Sequence, residues 1–106
     1  MAVVFLSITP LGTGTTSVSR WVAGVERILR GTSLKSELTA MGTLIEGDLD
    51  EILAVVRKMH EHPFTQGAVR VSTLVKIDDR RDKEHTIAGK VRSVEEKLAA
   101  DPDAPR

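Results

Sequence analysis

A chain of 106 residues, 41% of them hydrophobic, is long enough for one compact core and short for two domains. The 15 basic and 15 acidic side chains cancel to a net charge of zero, which argues against nucleic acid as a partner. The absence of cysteine excludes disulfides and thiolate metal sites. We expect one domain over residues 1–100 and a disordered tail over residues 101–106.

The first third of the chain is typical of a strand followed by a helix. Residues 2–9 are apolar and β-branched, as in a buried central strand, and the run ends at Pro10. This run is too short for a membrane span and has no basic segment before it, so we expect no membrane partner and a cytoplasmic protein. A loop of glycines and hydroxyls follows, with Ser17 as the expected N-cap of a helix that stops near Gly31.

Residues 34–46 have the pattern of a half-buried β-hairpin centred on Gly42. Apolar and polar side chains alternate with a period of two on both sides of this glycine. The alternation places Thr43 and Glu46 on opposite faces of the second strand. A carboxylate on a buried, hydroxyl-rich hairpin is unusual, and it predicts the wall of a small-molecule pocket.

The second half of the chain predicts a helix, a strand and a further helix. Asp48 and Glu51 have the spacing of a capping box, and Pro63 should end the helix that they begin. Residues 68–77 alternate as a long strand, and residues 86–99 form the last helix. That helix carries a narrow apolar stripe of Ile87, Val91, Val94 and Leu98.

The order of elements predicts an α+β fold of the ferredoxin-like type. Strand, helix, strand, strand, helix and strand make a four-stranded antiparallel sheet with two helices on one face. The C-terminal helix is an addition to this plan. Its apolar stripe and the second face of the sheet would stay bare in a monomer, so we expect a homo-oligomer.

Four stretches, distributed over residues 3–98, carry a family pattern. They are Pro10-Leu-Gly…Ser17-Val-Ser, Met41-Gly-Thr-Leu-Ile-Glu-Gly-Asp-Leu-Asp-Glu, Arg70-Val-Ser-Thr-Leu-Val-Lys-Ile-Asp-Asp-Arg-Arg-Asp-Lys and Lys90-Val-Arg-Ser-Val-Glu. Together they resemble the small thiamine-binding protein family, once known as a domain of unknown function. The resemblance implies a ferredoxin-like homotetramer that binds thiamine or its hydroxymethylpyrimidine moiety, without known catalysis.

The hairpin supplies the candidate contacts for such a ligand. A carboxylate can accept hydrogen bonds from the exocyclic amine of an aminopyrimidine and attract a thiazolium cation, and Glu46 is the candidate. The alternative is a structural salt bridge from Glu46 to Arg70 or Lys76 on a neighbouring strand. Thr43 offers a hydroxyl and Met41 a polarisable contact for a ring, although both residue types also occur in ordinary strands and interfaces.

The glycine-rich loop before the first helix is a second candidate part of the pocket. It lacks the lysine of a P-loop, and Ser17 replaces the third glycine of a dinucleotide fingerprint, so by itself it resembles an ordinary turn. Beside the family resemblance, its free amides and hydroxyls predict a pocket rim. The rim residues are Leu11, Gly12, Thr16, Ser17 and Ser19.

Neither a catalytic set nor a metal site is predicted. His60 and His62 are two residues apart and do not share a helix face, so with His85 they are expected to be solvated. Trp21 is expected in the core, with stacking on a pyrimidine as the alternative. The competing function is a regulatory or structural subunit that senses another metabolite or docks on a partner protein, and neither function calls for a cofactor.

Overall fold

The computed structural model describes residues 1–100, and the tail expected over residues 101–106 lies outside the described residues. The seven elements follow the predicted order, and the fold is ferredoxin-like with an added C-terminal helix. They are β1 (Ala2–Pro10), α1 (Ser19–Arg30), β2 (Lys35–Leu38), β3 (Thr43–Gly47), α2 (Leu49–Thr65), β4 (Val71–Asp79) and α3 (Ile87–Ala100).

The sheet has the strand order β2-β3-β1-β4, and all neighbouring strands are antiparallel. Val4 on β1 lies opposite Ile45 on β3 and Ile77 on β4, so these side chains share the face that α1 and α2 cover. We call this the helix face and the opposite one the outer face. The core lies between the helix face and the two helices, and its buried members are Val4, Leu6, Val25, Leu29, Ile45, Ile52, Val56 and Met59.

Two predicted helix ends are wrong, for different reasons. The N-cap of α1 is Val18, not Ser17, because the first helical amides, those of Trp21 and Val22, both donate to the Val18 carbonyl at 3.0 Å. Helix α2 begins as predicted, with the Asp48 carboxylate accepting a hydrogen bond from the Glu51 amide at 3.2 Å. It continues past Pro63, however, since a proline in the last turn removes only one helical hydrogen bond and its ring is buried against the core.

The hairpin is shorter than the alternation predicts, because residues 39–42 form its turn. The Thr39 amide donates to the Gly42 carbonyl at 2.8 Å, and the Thr39 hydroxyl donates to the same oxygen at 2.7 Å. A side chain at Gly42 would place its Cβ 2.5 Å from the ring of Phe5, so the close approach requires glycine. The pairing that remains extends from Lys35 opposite Glu46 to Leu38 opposite Thr43.

Helix α3 lies apart from the core and has no buried residue. Its first turn is held by two side chains. Glu46 accepts a hydrogen bond from the Ile87 amide at 3.1 Å, and Thr86 accepts one from the Gly89 amide at 3.0 Å. Within residues 1–100, no helix has the length and apolar character needed to cross a bilayer.

Candidate functional site

A cleft of about 270 Å³ opens between the start of α1, the end of β1 and the turn of the β2–β3 hairpin. It lies on the helix face, beside the core, and most of its wall is aliphatic. The lining consists of Leu6, Ser7, Ile8, Thr9, Val18, Val22, Val25, Glu26, Leu38, Thr39, Ala40, Met41, Gly42, Thr43 and Met59.

The charged group in this cleft is Glu26, which is only 8% exposed. Its Oε1 accepts a hydrogen bond from the hydroxyl of Thr43, which is also buried. Within residues 1–100, no lysine, arginine or histidine forms an ion pair with Glu26. A carboxylate that is buried without a cationic partner is unusual, because desolvation of the charge is costly. The cleft can therefore accommodate a ligand that supplies a cation or an amine.

The position of Glu26 follows from the periodicity of α1. Val18, Val22 and Glu26 are spaced by four residues, which places them in one row along the helix. The first two line the cleft, and Glu26 completes the row toward Thr43, the first residue of β3. Thr43 shares the helix face with Ile45 because the two are separated by two residues on a strand.

The mouth of the cleft is formed by the hairpin turn, and Thr39 orders it. Besides donating to the Gly42 carbonyl, the Thr39 hydroxyl accepts from the amides of Met41 and Gly42 at 3.3 and 3.2 Å. Met41 is 81% exposed at this turn and lines the cleft. The long apolar side chain of Met41 thus lies at the entrance of the cleft, on a turn that the hydrogen bonds of Thr39 hold in place.

The predicted site residues other than Glu46 are divided by the structure into three groups. Met41 and Thr43 line the cleft. Ser19 lines a groove that adjoins it along α1. The remaining rim residues lie on the exposed loop before α1 and do not line the cleft; they are Leu11, Gly12, Thr16 and Ser17.

Glu46 lies across the sheet from the cleft. The residue lies on the outer face of the sheet and is 9% exposed, and its carboxylate accepts the hydrogen bond from the Ile87 amide that begins α3. An open groove of about 680 Å³ passes beside it, between β2 and α3. The alternative prediction, a salt bridge from Glu46 to Arg70 or Lys76, is wrong, because neither side chain pairs with Glu46 within residues 1–100. The Glu46 carboxylate has a helix terminus as its partner.

The histidines are more enclosed than expected. His60 is half-buried, with Nδ1 2.6 Å from the Thr73 hydroxyl. His85 is buried, and its Nε2 lies 3.2 Å from a carboxylate oxygen of Asp78 without the geometry of a hydrogen bond. Across residues 1–100, no three His, Asp or Glu side chains come close enough together to hold a metal ion.

The aromatic side chains are all outside the cleft lining. Trp21 is half-buried on α1, with the Arg20 guanidinium carbon 5.2 Å from its ring centre. The expectation that Trp21 belongs to the buried core is therefore met only in part. A ring bound in the cleft would contact aliphatic side chains and the sulfur-containing Met41 and Met59.

Glu26 is the site residue that the sequence interpretation missed. It lies four residues after Val22 and three before Leu29, within the apolar stripe of α1. A single charge in such a stripe was the available signal. The pairing with Thr43, 17 residues away, had no signal of its own, because it depends on how α1 packs on the sheet.

The fold and the cleft define a ferredoxin-like domain with a small, mostly apolar pocket that contains one buried carboxylate. Comparison with known proteins identifies the family. A sequence model described as thiamine-binding protein matches residues 4–95, and the chain belongs to this family.

Relatives of known sequence and structure span nearly the whole chain. The UPF0045 protein YqgV of Bacillus subtilis is 47% identical over 102 residues, which cover 92% of this chain and 98% of YqgV. The crystal structure of MJ1052 from Methanocaldococcus jannaschii has a TM-score of 0.82 at 41% identity, covering 90% of this chain and 96% of that one. A Thermotoga maritima protein, provisionally assigned to thiamine biosynthesis or salvage, shares the fold with a TM-score of 0.72 at 21% identity, over 88% and 97% of the two chains.

Proposed function

We propose that this protein binds thiamine or its hydroxymethylpyrimidine moiety, without catalysis, in the cleft between α1 and the β2–β3 hairpin. The observation that carries the proposal is the buried carboxylate of Glu26, which has a hydroxyl but no cation as its partner among the described residues. Membership of the thiamine-binding family supports the choice of ligand. A cytoplasmic setting is part of the proposal.

The chemistry of the ligand suits this carboxylate. Thiamine joins an aminopyrimidine, which donates hydrogen bonds through its amine, to a positively charged thiazolium ring. Glu26 can accept the amine hydrogen or attract the cation, and an interaction of this kind is stronger than a neutral hydrogen bond because one partner is ionised. The aliphatic wall removes the ring from water.

The size of the cleft limits how the ligand fits. About 270 Å³ lies just below the volumes of roughly 300–1,000 Å³ that are usual for small-molecule sites. We expect the pyrimidine to occupy the cleft, while the thiazolium of intact thiamine extends into the adjoining groove along α1.

The proposed site combines predicted and newly found residues. Thr43 and Met41 remain proposed contacts, and Glu26 takes the anchoring role that the sequence suggested for Glu46. The predicted rim also remains part of the proposal, since the loop leads directly into the start of α1; it consists of the loop residues Leu11, Gly12, Thr16 and Ser17 and of Ser19, the first residue of α1.

Isothermal titration with thiamine and with hydroxymethylpyrimidine tests the proposal. We expect Glu26→Gln to weaken binding by about 10- to 100-fold, because the amide keeps an oxygen for the Thr43 hydroxyl but loses the charge. Glu46→Gln is the matched control, with equal burial and the same chemical change on the other side of the sheet. If Glu46→Gln loses binding and Glu26→Gln does not, the ligand binds on the outer face of the sheet and the proposed cleft is wrong.

We also propose that the protein is a homotetramer. Leu74 is 60% exposed on the outer face, and α3 presents Val91, Val94 and Leu98 to solvent in a single chain. Exposed apolar groups arranged in this way are typical of subunit contacts. Light scattering coupled to size exclusion should give four times the 11.6 kDa chain mass, and a monomer at micromolar concentration would contradict the proposal.

The same exposed stripe on α3 favours a second candidate, a regulatory subunit that docks on another protein. Its signature would be a stoichiometric partner recovered with the wild-type chain and lost when Val91 and Val94 are changed to Ser, with no heat from any thiamine-related ligand. Heat from thiamine together with a self-associated tetramer favours the first candidate.

A further inference from the structure

The cleft does not end at Glu26. A shallow groove of about 560 Å³ continues from it along α1 toward the end of that helix. The two depressions are lined in common by five residues, so they form one continuous surface with the Glu26 carboxylate at the junction. The shared residues are Val18, Val22, Glu26, Leu38 and Thr39.

Two arginines lie on the groove beyond this junction. Arg27 and Arg30 are in the last turn of α1, and both are exposed. A spacing of three residues makes them neighbours on the helix surface, and Arg30 is also four residues from Glu26. Within residues 1–100, neither guanidinium forms an ion pair or a side-chain hydrogen bond. Their donors are available to a ligand.

The charged groups along this surface, first one carboxylate and then two guanidiniums, indicate which class of ligand it can bind. A carboxylate in the cleft suits an amine or a cation, and two neighbouring guanidiniums suit a phosphate, which they can bind through several charge-assisted hydrogen bonds. We propose that the site prefers phosphate monoesters of the amine-bearing heterocycle, such as thiamine monophosphate or hydroxymethylpyrimidine phosphate, over the unphosphorylated alcohols. This inference rests on the proposed function and adds the phosphate to it.

The arginines have a second physical role that the experiment must separate. Cations in the last turn of a helix stabilise it through the negative end of the macrodipole. That role changes the melting temperature when the arginines are replaced, but it does not distinguish a phosphorylated ligand from a free one. The ratio of the two dissociation constants is therefore the informative quantity.

The test is a set of parallel titrations with thiamine, thiamine monophosphate, hydroxymethylpyrimidine, its phosphate and inorganic phosphate. We expect the wild-type protein to bind each monoester about tenfold more tightly than its alcohol, with a preference that declines as salt is added. In Arg27→Gln/Arg30→Gln the ratio should fall to about one, with intermediate values in the single variants. The matched control is Arg70→Gln/Arg92→Gln, which removes two exposed arginines that do not line the groove.

The outcomes distinguish this inference from the proposed function. If thiamine binds but its phosphate binds no more tightly, or if the preference persists in Arg27→Gln/Arg30→Gln, the inference is wrong while the proposed function stands. If neither ligand produces heat, both are wrong. A preference that is equally reduced in the control variant would mean that net charge, and not the groove, attracts the phosphate, and would also overturn the inference.

Discussion

Two buried glutamates on opposite faces of one sheet carry the same chemical group at almost the same exposure. Glu26 is 8% exposed on the helix face, and Glu46 is 9% exposed on the outer face. Glu26 borders a cleft and accepts a hydrogen bond from the Thr43 hydroxyl. Glu46 accepts one from the Ile87 amide at the start of α3.

The difference teaches that burial alone does not identify a ligand-binding carboxylate. A helix terminus offers unpaired amides and a positive dipole, so it satisfies a carboxylate as part of the fold. Glu46 is used in this way. A single hydroxyl supplies much less compensation for a buried charge, and the Glu26 carboxylate has capacity left for a ligand.

The largest expected effect on stability comes from removing the hydroxyl that supports Glu26. Thr43→Val keeps the shape of the side chain but leaves the buried carboxylate without its donor, and we expect a loss of about 1–3 kcal/mol. Urea denaturation measures it. Thr43→Ser, which keeps the hydroxyl, should lose less. A Thr43→Val protein as stable as wild type would mean that Glu26 does not depend on this bond.

A smaller effect is expected on the outer face. Glu46→Ala removes the acceptor for the Ile87 amide, and by analogy with the loss of a helix cap it should cost about 0.5–2 kcal/mol, concentrated in α3. Hydrogen exchange should show faster exchange in α3 and little change in the core strands. Faster exchange throughout the sheet instead would contradict a role confined to the helix terminus.

The smallest effect concerns a second, exposed attachment of α3. The hydrogen bond from Lys90, and next the contact of His85, hold the pKa of the Asp78 carboxyl below its usual value of 3.8. Because the pKa of Asp78 is lowered in the folded state, this attachment stabilises α3 fully above about pH 4. The stabilisation is lost as the pH falls through the folded-state pKa of Asp78. The difference in α3 exchange between wild type and Asp78→Asn should therefore shrink as the pH falls below about 4. A difference that persists at the acid end would show that charge is not involved.

Patterns local in sequence were predictable because neighbouring residues determine them. The alternation around Gly42 correctly placed Thr43 and Glu46 on opposite faces, and the spacing of Asp48 and Glu51 correctly marked the start of α2. Pro63 was misleading, because a local preference against helix is outweighed when the ring packs in the core.

The sequence by itself determined the order of the elements, the ferredoxin-like plan and the faces of the hairpin, since these follow from periodicity and capping within short segments. Only the tertiary structure decided which glutamate lines the cleft on the helix face and which one accepts the first amide of α3. That choice depends on Thr43 reaching Glu26 across 17 residues and on Ile87 reaching Glu46 across 41. Contacts between distant segments exist only once the helices have packed on the sheet, and short-range patterns do not encode them.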